Sequence, residues 1–136
     1  MRSTKGQTLV EFALIAPIVF ILLFGIIDFG MALDHRIVLQ HAVREGARYA
    51  AVHDGCTAIQ DRTAERAASL IPDPHNTVVV AYDHNPASAG NTVKVTAPFS
   101  YDFPLMSRFG VGTINVDVSA SARLEMAVPS AGGCPP

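Results

Sequence analysis

The sequence predicts an α+β protein: a long N-terminal helix whose inner half spans a membrane, then a short helix and a small antiparallel sheet of about three strands packed on the long helix. Two patterns carry this. Residues 12–27 hold no charged side chain, and residues 34–52 place small and apolar side chains at three- and four-residue steps. A third lies near the C-terminus, where Ile114, Val116, Val118, Ala120, Ala122 and Leu124 alternate strictly with polar residues, the period of a sheet with one buried and one wet face.

The apolar segment comes first. As a helix, residues 12–27 rise about 24 Å, short of a hydrocarbon core of about 30 Å. Spanning therefore recruits Leu9 and Val10 on one side and residues 29–33 on the other, which brings Glu11 and Asp28 to the two membrane boundaries. Each carboxylate then needs a partner, water or a proton. Arg2 and Lys5 precede the run while Asp28 and Asp34 follow it, so the positive-inside bias predicts an inside N-terminus and a translocated C-terminal domain. Pro17 removes one backbone donor within the run and should kink or loosen the helix. A secretory signal peptide is the rival reading, with Gly30, Met31 and Ala32 as its cleavage site. The acid directly before the apolar region and the helical sequence beyond it speak against that reading.

Beyond the span, Leu39, Val43, Gly46, Ala47, Ala50 and Ala51 mark one helical face, and the helix is expected to continue from about Thr8 to His53. The small residues allow another element to approach closely. Arg44, Glu45 and Arg48 either form a solvated face or touch another subunit. Gly55 reads as the helix stop, in a left-handed cap. Thr57 with Gln60 resembles a capping box opening a second helix that runs to about Leu70, and Pro72 and Pro74 end it. Strands are expected over residues 77–83, 92–99 and 113–125, with residues 84–91 joining the first two as a hairpin. Residues 100–112 are too apolar for a freely solvated loop: they either tuck over the core edge or meet a partner. The outer domain boundaries that follow are a transmembrane half ending at residue 33, an extracytoplasmic α+β domain over 34–127 and a flexible tail over 128–136.

Composition excludes several functions. The formal charge is −2 and no Lys/Arg-rich run occurs, so nucleic acid is not an expected partner. Five histidines, at positions 35, 41, 53, 75 and 84, do not cluster. No HExxH, CxxC or phosphate-binding glycine loop is present, so no metal, cofactor or catalytic residue is expected. Cys56 and Cys134 both follow the span, where a disulfide is chemically permitted; two free thiols are the alternative.

The residues around Glu11 also carry a resemblance. Gly6, four further residues, then Glu11 and Phe12 at the head of the apolar run are similar to the processing site of type IV pilin-like precursors. "LLFGIIDFGMAL", "QHAVREGARYAAV", "VKVTAPFSYDFPL" and "TINVDVSASARLEM" resemble the TadE-like branch of tight-adherence (Flp-type) pilus assembly proteins. The resemblance implies a pilin-like fold, a non-enzymatic minor pilin or pseudopilin, and cleavage by a prepilin peptidase between Gly6 and Gln7, which makes residues 1–6 a cytoplasmic leader and residues 7–33 the transmembrane half. It also implies other pilin-like subunits and pilus assembly machinery as partners, in the bacterial cytoplasmic membrane or a surface pilus. Glu11 would then pair with the α-amino group that the cut releases. Without the resemblance, Glu11 reads as a residue favoured by the helix macrodipole. Asp28 is open between a solvated boundary residue and an intramembrane pair with a cation of another subunit. The alternative function is a singly anchored or signal-peptide-bearing extracytoplasmic protein with a binding or hydrolytic task.

Overall fold

A computed structural model describes residues 5–128, apart from the side chains of Lys5 and Ala68. The α+β class holds: helix α1 (Lys5–Ala50), helix α2 (Cys56–Ala67), a one-turn helix α3 (Pro74–Thr77), and a three-stranded antiparallel sheet of β1 (Val79–Tyr82), β2 (Thr92–Tyr101) and β3 (Ile114–Arg123) in the order β1-β2-β3. The chain forms two compact units. Among the described residues, one comprises those through Leu33 together with Tyr101–Thr113; the other comprises Asp34–Ser100 and those from Ile114 on.

In the first unit the inner part of α1 runs unbroken through Pro17. The missing N–H of Pro17 leaves the Ala13 carbonyl without its usual donor, since helical bonds link residues four apart. Large apolar side chains cover this segment on nearly every side, Leu9, Phe12, Leu14 and Ile26 among them. Its most apolar window has a mean hydropathy of 2.7 and none of it is buried within the chain. A helix apolar all round has no polar face to offer water, which is the pattern of a membrane span.

The second unit has a conventional core. Leu39, Ala42, Val43, Ala47 and Ala50 of α1 are buried, as are Ile59, Thr63 and Ala67 of α2, Val80 of β1, and Val93, Val95, Ala97 and Phe99 of β2. Gly46 lets two helices meet. A Cβ built on it would overlap the Thr63 Oγ1 and stand 3.2 Å from the Thr63 Cβ, so only glycine permits this approach. β1 pairs with β2 in the register Val79↔Thr96 to Tyr82↔Val93. Asp83 N–H donates to Thr92 O at 3.1 Å, so Thr92 and every second residue after it turn their backbone toward β1. Pro98 is one of these and lies past the last β1 pair, so its missing N–H costs the ladder nothing.

Several boundaries differ from expectation, each for a local reason. α1 stops at Ala50, where Ala51 N–H bonds to both the Ala47 and Arg48 carbonyls and Val52 N–H bonds to Tyr49 O, a tightening that closes the last turn. Gly55 is not left-handed; its carbonyl accepts Ile59 N–H at 3.0 Å, so it opens α2 instead of closing α1. That shift puts Thr57 inside α2, and the expected capping box does not form. The Gln60 side chain turns inward, where its Nε2 donates to Val78 O at 2.8 Å. Pro74 is the first residue of α3, a position that needs no N–H. In β3 the alternation buries only Val118, with Ala120 and Ala122 half-buried, while Ile114 and Val116 are exposed. They stand on an edge strand, at the end of the sheet that β1 does not reach.

Candidate functional site

The first candidate is the N-terminal turn of α1. Gly6 and Gln7 lie within its first turn, and Glu11 and Phe12 one turn further on, all four exposed. Glycine is a weak helix former and the terminal amides lack intrahelical partners, so this turn is held less firmly than the helix interior. Gln7 and Glu11 are four residues apart and share one face, about 6 Å apart along the axis. A charge placed on the Gln7 nitrogen would therefore lie on the same side of the helix as the Glu11 carboxylate.

The second candidate is Asp28. Although it follows the uncharged stretch directly, it is completely buried. One carboxylate oxygen, Oδ2, accepts hydrogen bonds from the backbone N–H of Leu105 at 3.0 Å and of Met106 at 2.8 Å. These amides begin the 3-10 turn Met106–Phe109, so a helix residue caps a turn 77 positions away in sequence. The other oxygen, Oδ1, is buried and accepts no hydrogen bond among the described residues. Tyr101 stands close enough to feel the charge: burial raises the Tyr101 phenol above its ordinary range, and the Asp28 carboxylate adds to the effect. Where the sequence offered Asp28 water or a foreign cation, the structure gives it two amides of its own chain. Composition marked residues 100–112 as unusually apolar, but no local pattern pointed to Asp28 as their anchor.

The charged face of outer α1 divides. Glu45 faces α2, 3.5 Å from Arg62 and 4.0 Å from Arg66, and Arg62 also binds Glu65 at 2.7 Å. Arg44 and Arg48 are exposed on the other side of Glu45. Cys56 begins α2 and is not a free thiol; Cys134 lies outside the described residues. Three histidines are held by near neighbours. His53 Nδ1 lies 3.1 Å from Tyr49 O with the two rings stacked, His75 contacts Gln60 and Asp61, and His84 contacts Asp83 and Asn91. Among the described residues no three His, Cys, Asp or Glu side chains converge as metal ligands would.

The inner part of α1 is long and apolar enough to cross a membrane, and the second unit is of the α+β class. Residues 6–48 match the family model described as TadE-like protein, in line with the resemblance read from that part of the sequence. The matched range holds Gly6, Gln7, Glu11, Phe12, Asp28, Arg44, Glu45 and Arg48; the sheet lies beyond it. No curated protein and no solved structure gives a significant match to the chain.

Proposed function

We propose that the protein is a minor pilin or pseudopilin of a tight-adherence pilus, a structural component needed to assemble or prime the filament and not an enzyme. A prepilin peptidase cuts it between Gly6 and Gln7. It is anchored in the bacterial cytoplasmic membrane by residues 7–33 with the N-terminus inside, and its α+β domain faces outward, alone or within a surface pilus. The observation that carries this reading is the placement of Gly6 and Glu11 at the head of an uncharged span. A carboxylate inside a bilayer costs about 3 kcal/mol, so its presence there calls for a compensating partner. Proteolysis supplies one, because it converts the Gln7 amide into an ammonium one helical turn from Glu11.

Pairing can join the amine of one subunit to the Glu11 of the next as helices stack. A buried pair of this kind fixes register more than it adds affinity, since desolvation consumes most of the Coulomb gain. The sheet domain favours a minor component over a bulk filament subunit, because the major pilins of the Flp type that the chain resembles are little more than the helix. The Cys56–Cys134 disulfide and contacts of Arg44 and Arg48 with another subunit belong to the same proposal. Glu11→Ala tests the pairing. The variant should insert in the membrane at wild-type levels and fail to support pilus assembly, whereas normal pili would refute the role given to Glu11.

A further inference from the structure

The segment that caps Asp28 has features that a solvated loop does not need. Its neck is closed by the Thr113 hydroxyl donating to the Asp102 carboxylate. Gly110, at φ +85°, returns its N–H to the carbonyls of Met106 and Ser107, so the tip is compact in the manner of an Ω-loop. Tyr101 and Phe103 meet edge to face at 5.3 Å. Yet the loop turns apolar side chains outward: Leu105 is 37% exposed, Phe109 54% and Val111 39%, with Arg108 exposed among them.

Its attachment point gives this outward face a partner. Asp28 is the first residue past a run that covers about 24 Å of a hydrocarbon core of about 30 Å. A loop bonded there at 2.8 and 3.0 Å is therefore fixed at the outer end of the span. The bonds serve both sides. The two backbone N–H groups gain an acceptor and the buried Asp28 Oδ2 gains two donors, so each removes a desolvation cost of the other.

We propose that residues 101–113 form a foot that rests in the outer interface of the bilayer, with Leu105, Phe109 and Val111 among the acyl chains and Arg108 reaching the phosphates. Asp28 is the positioning residue for this foot. The foot rests on the reading that residues 7–33 cross the membrane.

The chain has no tryptophan, so single reporters can be placed in the full-length protein. Phe109→Trp and Leu22→Trp are reconstituted at one protein per vesicle in phosphatidylcholine carrying bromine high or deep in the acyl chain. The Phe109→Trp emission should be quenched about two-fold by high bromines and less by deep ones, as expected at the headgroup–acyl boundary. Adding Asp28→Leu should abolish this quenching; Asp28→Asn, which keeps an acceptor oxygen, should preserve it. Leu22→Trp should respond most to deep bromines, and failure of that control overturns the membrane reading itself. If Leu22→Trp is quenched while Phe109→Trp emits equally in brominated and plain vesicles, the foot is overturned and its apolar face belongs to water or to another subunit.

Discussion

Replacing Gly46 by alanine should destabilise the protein although alanine is the better helix former. In a helix interior the change is worth about 1 kcal/mol in favour of alanine. Against it stands the contact with α2, where the new methyl would overlap Thr63 Oγ1. Thr63 has little freedom to yield, because it is fully buried and its hydroxyl donates to Ile59 O at 2.8 Å. Rotating the hydroxyl away gives up a bond worth about 1 kcal/mol, and the Thr63 Cβ at 3.2 Å would still crowd the methyl. Overpacking of this kind costs about 1–3 kcal/mol, which leaves a net loss of about 1–3 kcal/mol. For a unit of this size that lowers the Tm by roughly 5–15 °C. Circular dichroism melts of the full chain in detergent read the change. Thr63→Ala in the Gly46→Ala background should recover at least about 1 kcal/mol as a coupling energy. A Gly46→Ala protein that melts at or above the parent temperature, or a double variant without recovery, would refute the close helix contact.

Three further outcomes follow from other contacts. Asp28→Ala should free the Leu105 and Met106 amides, each bond to the charged oxygen being worth about 1.5–3 kcal/mol, and limited proteolysis of membrane-bound protein should then cut within residues 101–113 while the parent resists. Gln60→Leu should cost about 1–3 kcal/mol in urea unfolding, because it leaves the buried Val78 carbonyl without its 2.8 Å donor; an unchanged midpoint would contradict the inward placement of Gln60. Glu45→Gln should change stability by less than about 1 kcal/mol, since the pairs with Arg62 and Arg66 are long and partly exposed, and a larger loss would show a stronger network than these distances allow.

The sequence revealed most where one physical preference acted alone. The absence of charge over residues 12–27 and the alternation along β2 needed no tertiary knowledge, and both elements formed as expected. Legibility failed where two distant segments negotiate. Asp28 and the 105–106 amides are remote in sequence, so neither carried a mark of the other; Asp28 looked like a boundary acid and the loop merely looked apolar. Gln60 read as a cap because Thr57 stood at the right spacing, but Gly55 started α2 earlier and released Gln60 to the core. Ile114 and Val116 kept the period of a buried face and are exposed, because alternation reports which side a residue takes and not whether anything covers that side. At the N-terminal turn Glu11 drew notice on cost alone, as a carboxylate at the edge of an apolar run, whereas the roles proposed for Gly6 and Glu11 came from the family resemblance.

Whether the leader is removed is read from the intact mass of the protein purified from the membrane fraction. The expected chain begins at Gln7 and is lighter than the full sequence by its first six residues. A chain that retains Met1 in cells bearing normal pili, or one that begins near Leu33, would contradict it.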